Sequence, residues 1–270
     1  MFGRRKVAAL VAEFVGTGVL TLVFLSVQRS TIGVPYFVAI AAGLVVVMLT
    51  FVVGTVSGGY ANPAITLAMW TARKLNTLTA ALYIVVQLLG AWAAYGVYTY
   101  FVNSSLQAIG GEYTGRVLVA EAIGAFVLAL GWGYLTFRAR LAVGARAAVL
   151  GVSFTLAVII AAAVGIGIVN PAVALGIRAW EIWGSMGWGT YVLGPVLGAV
   201  IGVNLYGLLF AGRDEDETVV VEEVVVTESV VAAPAVAAKR ATATKAKKTS
   251  TTKKTTTSRA AKKPAAKRKK

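Results

Sequence analysis

The chain has 270 residues with no cysteine and no histidine, is 58% hydrophobic, and has a mean hydropathy of +0.77. Only 14% of it is charged, against roughly a quarter in a soluble domain, and most of its net charge of +15 is gathered at the C-terminal end. Disulfides, thiolate metal sites and histidine-based proton transfer are therefore excluded, and residues 1–212, with eleven Lys/Arg and four Glu, read as an integral membrane domain.

The first apolar run, 7–27, follows Arg4-Arg5-Lys6. A basic start before an apolar run is also the form of a secretory signal, but this run is long enough to span a bilayer and carries Glu13 and Gly16, which recur later. Spans over 34–56 and 77–101 follow, with Asn62-Pro63-Ala64 between them. Asn62 to Trp70 reads as a short helix, with Asn at the N-cap and Pro at the first helical position. Its length, about 12–15 Å, is around half a bilayer. Gly58 and Gly59 allow an extended approach to it. Three more spans, 116–137, 145–167 and 187–210, complete the body, and Asn170-Pro171-Ala172 opens a second short helix running to Trp180.

The two halves, about 7–101 and 116–210, repeat at an offset of 108 without a gap: Glu13 is matched by Glu121, Gly43 by Gly151, Asn62 by Asn170 and Gly90 by Gly198. Three spans per half make the second half enter from the opposite face, so the repeats are inverted about a pseudo-two-fold axis in the membrane plane. The expected fold is an all-α integral membrane domain of six transmembrane helices plus two re-entrant half-helices that meet near the midplane. With the N-terminus in the cytoplasm, Arg4, Arg5, Lys6, Arg73, Lys74, Arg138, Arg140 and Arg146 lie inside and Arg29, Arg116 and Arg178 outside, which obeys the positive-inside rule. This places a multi-pass protein in the plasma or inner membrane with both termini cytoplasmic.

Beyond the body, 213–231 is an acidic, Val-rich linker and 232–270 a Lys/Ala/Thr-rich basic tail, too poor in large apolar residues to fold. Its fourteen Lys/Arg after residue 238 suit anionic lipid headgroups, at about 1 kcal/mol per basic residue, ahead of salt-sensitive contacts to nucleic acid. A solvated extension without a partner is the plainest reading.

Helix N-termini carry partial positive charge and free N–H groups. Two such ends meeting in a narrow pore repel cations, and Asn62 and Asn170 can each turn an amide N–H₂ toward a passing oxygen. Glu13 and Glu121 are the only acids deep in the spans. A carboxylate there needs donors and the non-helical lead-ins need acceptors, so each Glu is expected to support the loop of its own half. A proton relay is disfavoured because no His, Asp or Lys extends it. Thr17, Thr21, Thr50, Thr66 and Gln87 read as helix–helix hydrogen bonds. Gly16, Gly43, Gly90, Gly124, Gly151 and Gly198 read as close helix crossings, and Trp92, Trp132, Trp180, Trp183 and Trp188 as interfacial belt.

Ala12-Glu13-Phe14-Val15-Gly16-Thr17, Ser57-Gly58-Gly59-Tyr60-Ala61-Asn62-Pro63-Ala64-Ile65-Thr66 and Asn170-Pro171-Ala172 resemble the aquaporin, or major intrinsic protein, family over about residues 4–210. The resemblance implies one pore per subunit, a homotetramer, no cofactor, and passive flow of water or small uncharged solutes such as glycerol across the lipid bilayer. It also implies an outer constriction at Ala42, Val158, Gly167 and Val173. The family usually has Arg at the last of these, His where Tyr60 stands, and, in glycerol channels, Asp where Ala174 stands. Four small or apolar residues imply a wider, greasier mouth unless another aromatic fills it, and hence a selectivity broader than water. The alternative is a non-conducting structural or adhesion protein on the same scaffold. No constellation of an enzyme is present.

Overall fold

The computed structural model describes residues 3–29, 35–109, 113–138, 140–183 and 187–211. The linker and basic tail, and Glu112, lie outside the described residues. Six helices are long and apolar enough to cross a membrane. Along the chain the elements are α1 (Arg4–Gln28), α2 (Pro35–Val52), the single turn α3 (Gly54–Ser57), the half-helix α4 (Pro63–Thr71) and α5 (Thr77–Val102). The second half holds α6 (Gly115–Phe137), α7 (Val143–Ala161), the half-helix α8 (Pro171–Gly176) and α9 (Gly194–Phe210), which is entered through a π-helical turn at Gly189–Leu193. That turn precedes Pro195, whose missing N–H removes one rung of the α-helical ladder.

Apolar runs alone overestimate two spans. The runs 34–56 and 145–167 continue past the helix ends at Val52 and Ala161, because their last residues form the lead-ins to the half-helices. The second half-helix stops at Gly176 rather than at Trp180. Arg178 turns left-handed at φ 61°, and the Ala179 N–H bonds back to the Ala174 carbonyl at 2.8 Å, a six-residue closure that ends a helix.

The halves interlock. Within each half the first and last spans pair, α1 with α5 and α6 with α9, and α2 packs against α7 across the pseudo-two-fold axis. Each half-helix crosses over: α4 packs on α9, and α8 packs on α5 and α1. Glycines set the separations. A Cβ on Gly90 would lie well under 3.0 Å from the Phe14 carbonyl oxygen, and one on Gly198 equally close to the Ala122 carbonyl oxygen, a contact repeated by the 108-residue offset. Gly43 and Gly151 face one another, each Cβ position falling 2.8–2.9 Å from the other's carbonyl oxygen. A Cβ on Gly124 would lie 2.5 Å from the Ala157 carbonyl oxygen, whereas one on Gly16 would make only an ordinary 3.5 Å contact with Leu49, so Gly16 marks no tight crossing.

The threonines differ from expectation. Thr17 and Thr50 hydroxyls donate to the carbonyls of Glu13 and Val46 one turn back on their own helices, and Thr21 has no partner. Of the five polar residues singled out in the sequence, Thr66 and Gln87 are the two that join helices to one another. Of the tryptophans, Trp92, Trp183 and Trp188 are exposed, while Trp132 is buried and no part of a belt.

Replacing Gly198 with Ala should force α6 and α9 apart, and purified protein should lose its monodisperse elution in detergent and its thermal transition. Gly96→Ala, where nothing lies within 4 Å of the added methyl, should leave both unchanged.

Candidate functional site

Each half-helix is preceded by residues outside regular structure, 58–62 in the first half and 166–170 in the second; directly before the asparagines stand half-buried Tyr60 with buried Ala61, and buried Ile168 with Val169. The backbone N–H groups of these two pairs end on one carboxylate per half. Tyr60 and Ala61 donate to the two Glu13 oxygens at 3.0 and 2.8 Å, and Ile168 and Val169 donate to the two Glu121 oxygens at 2.8 and 2.6 Å. Both Glu residues are buried and take the loop-supporting place expected of them. Glu13 has a third donor that sequence reasoning did not assign: the Gln87 side-chain N–H₂ reaches it at 2.7 Å and also bonds the Thr66 hydroxyl. The offset places Pro195 opposite Gln87, so Glu121 has no counterpart to this donor.

Ala61 and Val169 both adopt left-handed backbone, φ 45° and 50°. For a β-branched residue this is strained by roughly 1–3 kcal/mol. The twist aims each carbonyl across the repeat boundary. The Ala61 carbonyl accepts from the Asn170 amide at 2.8 Å, and the Val169 carbonyl accepts from the Asn62 amide at 3.0 Å. The Asn side-chain oxygens meanwhile cap their own helices. Asn62 Oδ1 accepts from the Ala64 N–H at 2.9 Å, and Asn170 Oδ1 from the Ala172 N–H at 3.0 Å. Pro63 and Pro171 hold the first helical position behind each Asn, and Ala64 and Ala172 follow, all fully buried. Asn62 and Asn170, far apart in sequence, are thus tied together by two reciprocal hydrogen bonds at the meeting of the half-helix tips.

Ala42, Val158 and Val173 have no exposed surface, and Gly167 is buried. The first three share one continuous apolar cluster with Leu20, Phe24 and Ile168. All four positions are thus enclosed by neighbouring atoms. Ala174 is equally buried. Arg178 is no substitute for a filter arginine: it sits beyond the end of α8, where its guanidinium donates to the Leu106 carbonyl at 2.8 Å and pairs with Glu181. That pairing holds the Arg178 pKa above its ordinary value. The indole of Trp180 donates to the Pro171 carbonyl at 2.7 Å, pinning the second half-helix from outside. Tyr60, where the family usually has His, is flanked by two rings, Trp132 with centroids 4.9 Å apart and Tyr83 at 6.1 Å.

Comparison with known proteins identifies the family and the fold. Residues 4–206 match the family described as Major intrinsic protein. A probable aquaporin PIP2-7 of Oryza sativa subsp. japonica is 31% identical over 241 residues, covering 76% of this chain and 80% of that protein. Aquaporin-5 of Mus musculus is 33% identical over 177 residues, covering 63% of this chain and 67% of that one. The solved structure of the aquaglyceroporin from Plasmodium falciparum aligns with a TM-score of 0.61 at 20% identity, covering 76% of this chain and 96% of that chain. At this identity the likeness is one of fold.

Glu121→Gln keeps the side chain's size but turns an amide N–H₂ toward one of the two N–H groups now bonded to the carboxylate. One buried donor is left unsatisfied, at a cost of about 1–3 kcal/mol. The thermal midpoint in detergent should fall by several degrees. An unchanged midpoint would show that the carboxylate does not support the lead-in.

Proposed function

This chain belongs to the major intrinsic protein family, whose members are membrane channels and not enzymes, and we propose that it conducts water and small neutral solutes of glycerol's size past Asn62 and Asn170. The observation that carries this reading is the reciprocal pairing of each Asn amide with the opposite half's lead-in carbonyl. An amide has two N–H bonds. One from each Asn is fixed across the repeat boundary, and the other is free to donate to a permeant oxygen. Donors held in this way replace hydration without reorganising, while apolar walls keep the permeant loosely bound.

Ala42, Val158, Gly167 and Val173 form the outer constriction in this reading. With Val173 where the family has Arg, the constriction offers neither a fixed positive charge nor a guanidinium donor. Water gains little from such walls, whereas a solute carrying C–H surface gains more. The channel therefore accepts glycerol-like solutes alongside water. It assembles as a homotetramer with one conduit per subunit, and sits in the plasma or inner membrane with both termini cytoplasmic. The basic tail, 232–270, has the charge to bind anionic lipid headgroups.

A second reading, a non-conducting structural protein on this scaffold, is favoured by one observation: Ala42, Val158, Val173 and Asn170 are wholly inaccessible to solvent. Osmotic response separates the two. Proteoliposomes should re-swell in an inward glycerol gradient faster than empty vesicles, and equal rates would support the non-conducting reading. Val173→Arg should lower glycerol permeability relative to water, and an unchanged ratio would remove the outer constriction from the selectivity argument.

A further inference from the structure

We infer that the size-selecting constriction of this conduit is the stacked pair Tyr60–Trp132, on the far side of the asparagines from the expected outer filter; this rests on the channel reading above. The argument begins with the path of α6. At Glu121 this helix bonds the lead-in of its own half, Ile168 and Val169. Eleven residues later, about 16 Å along the axis, it presents Trp132. The Trp132 ring lies against Tyr60, in the lead-in of the other half, with centroids 4.9 Å apart and planes 30° from parallel. So α6 runs alongside the meeting point of the half-helices, from one lead-in to the other, and its tryptophan reaches across the boundary between the repeats. Tyr60 stands two residues before Asn62, so a conduit past that asparagine on this side would run by these rings.

The chemistry of the pair suits a filter. Tyr60 is held from behind: its N–H is bound to Glu13 and its ring is flanked by Tyr83, whose hydroxyl is tied to the Ser57 carbonyl at 3.1 Å. Neither the Tyr60 hydroxyl nor the Trp132 indole N–H has a protein hydrogen-bond partner among the described residues. The stacked pair thus offers a rigid apolar wall with two polar handles, which suits a slender neutral molecule with hydroxyls along its edge, a short-chain polyol. The same offset that relates Glu13 to Glu121 relates Phe24 to Trp132 and Tyr60 to Ile168. Phe24 is buried in the apolar core. Its ring offers no polar handle, and the residue that stands in that half where Tyr60 stands in the other is the aliphatic Ile168. The repeat therefore carries an aromatic at both positions, and only Trp132 stacks on the lead-in of the other half.

The full-length protein in proteoliposomes tests this with water, glycerol and the four-carbon polyol erythritol as probes. Trp132→Ala should raise erythritol permeability relative to water by about tenfold, which corresponds to about 1.4 kcal/mol off its barrier, and Phe24→Ala should raise it less. Because the chain has no cysteine, Tyr60→Cys gives a second readout that does not depend on Trp132 being replaceable: a small water-soluble methanethiosulfonate should modify it and block glycerol flux. A conducting parent protein whose solute ratio ignores Trp132→Ala, or whose Tyr60→Cys variant is fully modified without block, overturns the inference and leaves the channel intact. Parent and variants all indistinguishable from empty vesicles would overturn the channel reading and this inference with it.

Discussion

Irregular backbone inside an apolar medium has to find partners for every N–H and C=O, because no solvent is there to supply them, and each unpaired group costs several kcal/mol. The rest of this structure depends on how that demand is met at the two lead-ins. In each half one carboxylate takes two consecutive N–H groups, and the carbonyl between the second of them and the asparagine is taken by the asparagine of the other half. The left-handed conformations of Ala61 and Val169 are the geometric price of sending N–H and C=O to opposite sides. A chain of bonds therefore runs from Glu13 through Ala61 to Asn170 and its helix, and a matching one from Glu121 through Val169 to Asn62. Neither half can order its own tip without the other.

The packing serves the same end. Tips can meet only if the surrounding helices approach closely, and the approach is set by glycines whose Cβ would collide with a facing carbonyl, at Gly90 and Gly198 within the halves and at Gly43 and Gly151 between them. Small side chains at crossings are the usual means of association where lipid removes the hydrophobic drive. The exchange of half-helices, α4 onto α9 and α8 onto α5, then fixes the two repeats against relative sliding. A shift by one residue would break both reciprocal asparagine bonds together.

Much of this was legible in the sequence because the repeat is ungapped. The offset of 108 located both tips, both acids and the crossing glycines, and the odd number of spans per half required inversion. What escaped has physical reasons. The helix ends at Val52 and Ala161 were hidden because the lead-ins are as apolar as the spans they follow. The early stop of α8 depends on Arg178 adopting a left-handed turn, which no pattern announces. Gln87 was seen as polar, but its target is 74 residues away in sequence and lies on a different helix, so only the fold reveals it. Trp132 was assigned to the membrane interface from its place near a span end, yet a partner from the other half buries it.

The two halves share one scaffold, so positions at which they differ are informative. Where backbone needs are being met, the halves agree: Glu with Glu, Asn with Asn, Pro with Pro, left-handed turn with left-handed turn. Where they disagree, side chains face neighbours or the space between halves: Tyr60 against Ile168, Trp132 against Phe24, Gln87 against Pro195. The third donor on Glu13 sits behind the Tyr60 lead-in, and the lead-in that carries an aromatic is thus the more firmly braced of the two. The greater bracing thus falls on the side with the ring pair. Symmetry builds the junction of the half-helices, and the departures from it give its two sides different chemistry.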